Sequence, residues 1–222
     1  MNQTVLDFAA ARTHMVESQL RPNRVSDPRI LGAMKRLARE EFLPERLAAF
    51  AYVDEDVPLG SGRVLMEPLV LARLVQLAEP RSGERALVVG AGTGYGAAVL
   101  AACGASVTAL EEDERLLAVA HAVLPRAAPE VELVEGKLAA GWPAGAPWHI
   151  VFIEGAVKEI PAAIGEQLSR ESGRLVTVLA SGEAVHRAIV ARPSVGGLAI
   201  QSAFDCATPV LPELVPPPTF TF

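Results

Sequence analysis

Cysteine, aromatic residues and long apolar runs are all in short supply. Cys103 and Cys206 are the two cysteines in 222 residues, too few for a disulfide framework or a cysteine-ligated zinc site. Histidine is nearly as sparse: His14, His121, His149 and His186 show no paired ligand spacing, so no metal site is expected. The longest apolar stretches run to about ten residues, half of what a bilayer-spanning helix needs. The opening MNQTVLDFAA has neither a basic start nor an apolar run behind it, which predicts no signal peptide. The formal net charge of -6 argues against general affinity for nucleic-acid phosphate or anionic membrane. The arginines are scattered rather than patched. A cytoplasmic globular protein with no nucleic-acid or membrane partner is expected, acting as a monomer.

Half of the residues are apolar, and a chain of this length buries roughly 70% of the surface its unfolded form exposes. No metal or disulfide is then needed to hold a core. Residues 4–19 carry apolar positions at helical spacing, and Arg21-Pro22-Asn23 ends the run. Asp27 caps a second helix with Pro28 at its first position and Ile30, Leu31, Met34, Leu37 and Ala38 on one face. Tyr52 to Gly62 reads as irregular, and a helix then runs from Pro68 to a stop at Pro80. From Arg85 the texture alternates. Strands are predicted over Arg85–Val89, Ala105–Leu110, Val131–Val134, His149–Ile153 and Arg174–Leu179. Helices fall over Thr93–Ala102, Asp113–Leu124 and near Ile160–Leu168. Strand, helix, strand at this spacing means a parallel sheet with right-handed crossovers. Ala184–Ala191 and Leu198–Asp205 read as an antiparallel edge hairpin, and Val215 to Phe222 as an extended Pro-rich tail. The fold class is therefore α/β, a doubly wound Rossmann-like sheet with a helical N-terminal portion. Residues 1–80 would form that portion with an acceptor-site loop, and 81–222 the ligand-binding domain, in one compact unit.

Gly90-Ala91-Gly92-Thr93-Gly94-Tyr95 stands where the first strand turns into a helix. Its glycines let the backbone approach a ligand and expose helix N-terminal amides. A dinucleotide fingerprint wants its third glycine one residue later, and Gly96 misses that register as well. G-x-G-x-G suits methyltransferases that use S-adenosylmethionine. About twenty residues on, the next strand ends at Glu111, where an acid can accept both ribose hydroxyl protons. The alternative is a tight strand–helix turn with an ordinary surface acid.

From Met15 to Leu179 the chain resembles the protein-L-isoaspartate O-methyltransferase family. The likeness rests on Met15–Leu20, Asp27–Met34, Arg39-Glu40-Glu41-Phe42-Leu43-Pro44, Ala51-Tyr52, Pro58-Leu59-Gly60, Val89 to Tyr95, Glu111, Gly141-Trp142-Pro143, Ala146-Pro147 and Ile160-Pro161. The resemblance implies S-adenosylmethionine as donor and S-adenosylhomocysteine as product. It implies that Gly90, Ala91, Gly92, Thr93, Gly94, Glu111, Glu112, Lys137 and Leu138 hold the donor. The acceptor would be an isoaspartyl carboxylate in a damaged protein or peptide. Four departures surround the pocket. Met66 stands at the family's serine position, Val88 at its acid before the glycine loop, Lys137-Leu138 in its G-D-G turn, and Glu154-Gly155 in its V-T-A-A-A segment. Methionine offers no hydroxyl donor. Glu154 would repel a carboxylate unless protonated or turned away, yet would suit a general base for a small-molecule acceptor. It could equally be a helix N-terminal acid, with Lys137 paired to Glu154 or Glu135. Repair methylation, methylation of a small molecule, and adenosyl binding without catalysis all stay open at this point. Other residues read as structural: Cys103 as a small core residue, Tyr95 as helix packing, and Asp54-Glu55-Asp56 as a solvated acidic loop or a shaper of the substrate entrance.

Overall fold

The computed structural model describes residues 7–180, 182 and 185–215. Helix α1, Phe8–His14, is capped by the Asp7 side chain and continues as a π-helical stretch, Met15–Leu20, whose Met15, Val16 and Leu20 are buried. Helix α2, Pro28–Arg36, begins as its sequence predicts, with Asp27 accepting from the Arg29 amide. Helix α3, Pro68–Ala78, ends at Glu79 in a left-handed conformation. Between them the expected irregular stretch is in fact a small antiparallel hairpin, β1 (Val57–Gly60) with β2 (Arg63–Leu65). Pro58 and the glycines hid it. Gly60, Ser61 and Gly62 all take positive φ at the turn, and two short strands give little alternation to read.

The main sheet has β3 (Arg85–Val89), β4 (Ser106–Glu111), β5 (Glu132–Glu135), β6 (Ile150–Val157), β7 (Arg174–Leu179), β8 (His186–Ser194) and β9 (Gly197–Cys206). Its order is β5-β4-β3-β6-β7-β8-β9. The first five strands pair in parallel, and β8 and β9 close one edge in antiparallel pairing. This is the doubly wound sheet with an edge hairpin that the sequence predicts; Ala184, residues 4–6 and Pro216 to Phe222 lie outside the described residues. The remaining helices are α4 (Tyr95–Ala102), α5 (Glu114–Ala127) and α6 (Ala162–Gly165).

Successive side chains of a strand face opposite sides, and the two sides are dressed differently. Ala86, Val88, Ala109, Phe152 and Val176 pack against the N-terminal helices with α3, α4 and α5. Leu87, Val89, Leu110, Val151 and Ile153 pack against a thinner layer: Leu138, Trp148, Ile164 of α6, Leu168, Leu211 and Leu214. Helix α6 is one turn, shorter than its sequence suggests. Leu168 is drawn away into a parallel bridge with Trp148, and Gln167 accepts from the Trp148 amide. Strand β6 runs four residues past its predicted end at Ile153. It continues beside β7 through Ala156 and Val157 after a bulge. That extension carries Glu154 inside the sheet's carboxyl edge, where it is no helix cap. Helix α6 starts eight residues later without a side-chain cap.

Candidate functional site

The glycine loop sits at the carboxyl end of β3. Gly90, Gly92 and Gly94 have φ of 72°, 60° and 95°, a region that side chains with a Cβ rarely enter. The amides of Gly90 and Ala91 both donate to the Leu110 carbonyl, at 3.0 and 3.1 Å, which ties the loop to the end of β4. Gly94 caps α4 with Leu124 directly beneath it, while the open side of Gly92 has no heavy atom within 4 Å of a Cβ position. Thr93 is buried with its hydroxyl unpartnered among the described residues.

Glu111 ends β4 next to this loop and is fully buried. One carboxylate oxygen accepts from the amides of Glu112 and Asp113 at 2.9 and 3.0 Å, and the other from the Gly92 amide at 2.7 Å. The Arg63 guanidinium, from the hairpin strand β2, grips both oxygens at 2.9 and 2.7 Å. Arg63 also donates to the Gly90 carbonyl at 3.0 Å and to Glu213 at 3.2 Å. Burial works to lower the Arg63 pKa, and the Glu111 and Glu213 carboxylates overcome that and raise it. Nothing in the sequence pairs Arg63 with Glu111, since 48 residues separate them. A single arginine inside a short apolar stretch is the one trace of it.

Glu112 faces the neighbouring turn. It accepts from the Leu138 amide at 2.7 Å and meets Lys137 Nζ at 3.4 Å. Lys137 thus pairs with Glu112, not with Glu154 or Glu135 as the sequence suggested, because β5 delivers the turn beside the end of β4. Leu138 is buried, and its Cδ1 stands 3.5 Å from a Cβ position at Gly90.

A second acid, half-buried with one carboxyl oxygen fully enclosed, lies on the helical face. Glu154 Oε2 has no hydrogen-bond partner among the described residues. Burial pushes this carboxyl up to about 8, although the charges of Arg63 and Arg39 and the Gly96 amide pull the other way. Its carboxylate explains the extra glycine after the loop: a Cβ at Gly96 would run into it. Arg39 is fully buried, donates to the carbonyls of Ala51 at 2.7 Å and Met66 at 2.5 Å, and stacks 4.9 Å from the centre of the Tyr95 ring. Burial lowers its pKa and lifts the Tyr95 phenol to about 12. Met66 itself is buried in the core, so its backbone rather than its thioether is held by a polar partner. Tyr95 packs edge-on against Phe42, which fits its predicted structural role. Cys103 is buried at the end of α4, a small core residue, and burial pushes its thiol up to about 11.

Outside this cluster lies a groove of about 620 Å³ lined by Phe50, Val53, Asp54, Asp56, Val57 and Pro58 among others. Phe50 and Val53 are exposed large apolar side chains. Asp56 accepts from the Glu67 amide at 2.6 Å. Burial, reinforced by Asp54, Asp56 and Glu55, pushes the Glu67 carboxyl up to about 7. The acidic loop is thus only partly solvated, since Asp56 turns inward. Among the described residues no cluster of His, Cys, Asp and Glu can hold a metal ion, and no helix is long and apolar enough to cross a membrane.

The comparisons with known proteins point one way. The family model described as Protein-L-isoaspartate(D-aspartate) O-methyltransferase matches residues 10–200. A protein-L-isoaspartate O-methyltransferase of Methylorubrum populi is 41% identical over 75% of this chain and 78% of its own. Protein-L-isoaspartate O-methyltransferase 1 of Rhodopseudomonas palustris is 34% identical over 89% of this chain and 81% of its own. Among solved structures, a protein-L-isoaspartate O-methyltransferase superimposes with TM-score 0.75 at 21% identity, covering 93% of this chain and 67% of that one. A Plasmodium falciparum chain assigned to the same class, crystallised with S-adenosyl-L-homocysteine, gives TM-score 0.75 at 18% identity over 91% of this chain and 98% of that one.

Proposed function

The chain belongs to the protein-L-isoaspartate O-methyltransferase family, and from that premise we propose that it transfers a methyl group from S-adenosylmethionine to the isoaspartyl carboxylate of a damaged protein or peptide. The observation that carries this reading is the placement of Glu111 against the glycine loop. The acid ends the strand next to β3 and takes the Gly92 amide at 2.7 Å, in the crevice where open α/β sheets bind ligands. The donor set suits an adenosyl ligand in kind: a carboxylate for a vicinal diol, open backbone at Gly92, and a buried, unpartnered Thr93 hydroxyl. Glu112 and the Leu138 amide would border the adenine side. In the arrangement described, however, Arg63 stands on Glu111.

When bound, the donor supplies an electrophilic methyl group on a sulfonium, and a carboxylate acceptor is already a nucleophile. The chain's task is therefore proximity, alignment and removal of water. Arg39 does the positioning, holding the acceptor-side backbone at Ala51 and Met66 from inside the core. Phe50 and Val53 at the groove mouth would shed water around an entering peptide. Glu154, with its carboxyl pushed up to about 8, carries its proton at neutral pH, so it does not repel an anionic acceptor. The same proton weakens the reading in which Glu154 is the base for a small-molecule acceptor.

The test is transfer of labelled methyl from S-adenosylmethionine to an isoaspartyl peptide, with the matching aspartyl peptide as control. Selective labelling is expected, falling as pH rises through about 7 to 8, where Glu67 and Glu154 lose their protons. Labelling of both peptides alike, or of neither, would remove this reading.

A further inference from the structure

The crevice at the carboxyl end of the sheet is already filled by the chain itself. Strand β3 pairs with β6 as far as Val89 and Ile153. Beyond that point β6 runs on to Val157, and the place beside it is taken by the segment after β9. Val210 forms a parallel bridge with Ala156, the Ala156 amide donating to Pro209 at 3.0 Å and the Leu211 amide to Ala156 at 2.8 Å. This is the topological switch point of the sheet, between β3 and β6, where ligands enter such folds. Leu211 is buried there. Its side chain comes within 3.1 Å of a Cβ position at Gly90 and 2.6 Å of one at Gly155. The hollow that Gly90 leaves is closed by Leu211, Arg63 and Leu138.

The polar side is closed too. Glu111 accepts five hydrogen bonds on two oxygens, two from Arg63 and three from backbone amides. A carboxylate has roughly four lone-pair sites, so none is left for a pair of hydroxyls. Arg63 is steadied from behind by Glu213, and Pro212 packs 2.9 Å from a Cβ position at Gly62 on the hairpin turn. Hairpin and C-terminal segment brace one another across the crevice.

We propose that Arg63 and the segment Pro209–Leu214 form an internal cap on the donor site, and that an adenosyl ligand binds only by displacing the Arg63 guanidinium from Glu111. This rests on the reading of Glu111 as the ribose acid. Donor affinity is then set by competition. The site is competent only in the fraction of molecules whose cap is open, and apparent affinity falls by that fraction. Arg63 occupies the two acceptors a diol needs, and Leu211 occupies the surface along which the ligand would lie.

The experiment is calorimetric titration of the full chain with S-adenosylhomocysteine, which binds without turnover, for the parent, Arg63→Gln and Leu211→Ala. Each substitution is expected to tighten binding by about tenfold or more, and in the parent the ligand should speed exchange of the Leu211 amide. Folding is checked by circular dichroism; if Arg63→Gln does not fold, Leu211→Ala and amide exchange carry the test. Equal or weaker binding in the folded variants overturns the cap, as does ligand-bound parent whose Leu211 amide is no less protected. Absence of binding in every folded form overturns it as well. Isoaspartyl labelling, measured alongside, separates the two claims: labelling with unchanged affinities sinks the cap and leaves the proposed function standing.

Discussion

Glu111 and Glu154 are both glutamates at the carboxyl ends of central strands, and they live under opposite rules. Glu111 is saturated: three backbone amides and both terminal nitrogens of Arg63 donate to it. Glu154 has an oxygen with no partner, and its carboxyl is pushed up to about 8 by burial. Glu111 lies beside the hairpin and the glycine loop: Arg63 and the amides of Gly92, Glu112 and Asp113 supply its charge-assisted bonds. The other lies toward helices α3 and α4, where packing leaves only the Gly96 backbone and more distant cations. The donors brought to each acid, not burial alone, set the two apart.

Removing Glu111 should have the largest effect. Glu111→Ala leaves Arg63 buried with Glu213 as its remaining acid and orphans three backbone amides. We expect a loss of about 3–5 kcal/mol in urea unfolding, well above the loss from Glu154→Ala. Equal losses would erase the distinction. Glu154→Gln comes next and turns on pH. The folded carboxyl keeps its proton to about 8 against an ordinary 4.5, so its contribution is whole below pH 4.5 and is lost as pH rises toward 8. The amide does not titrate. The variant should gain on the parent across that window by on the order of 3 kcal/mol, and parallel stability curves from pH 4.5 to 8 would count against a protonated Glu154. The smallest effect is expected from Gly96→Ala, whose methyl meets the Glu154 carboxylate. A cost of about 1–3 kcal/mol should be largely recovered when Glu154 is also truncated. A double-mutant cycle showing no coupling would mean the carboxylate is free to step aside.

Much of this architecture is legible in the residues. The capped helix at Asp27-Pro28, the strand–glycine–helix turn and the acid ending β4 all follow from local rules with one outcome each. Gly90, Gly92, Glu111, Glu112 and Leu138, which the resemblance assigns to the donor, lie together around the loop. The partners were not legible. Arg63 reaches Glu111 across 48 positions and Glu213 across 150, and no periodicity encodes a contact that long. The sequence ends β6 at Ile153, and pairing with β7 and with the segment at Val210 is what keeps it extended to Val157. Lys137 likewise meets Glu112 rather than Glu154 or Glu135, because its neighbour is chosen by strand order, not by distance along the chain.

The edge hairpin β8–β9 deserves a different description from that of sheet closure. It carries the chain out along nine residues and back along ten, and then releases it just before Pro209. It is a ruler. Because its two strands are hydrogen-bonded along their length, with one bulge between Ala188 and Ile189, the landing point of Leu211 is measured from the far edge of the sheet. A lineage could retune the crevice by adding or deleting residues between Cys206 and Pro209, without altering a single side chain that lines it.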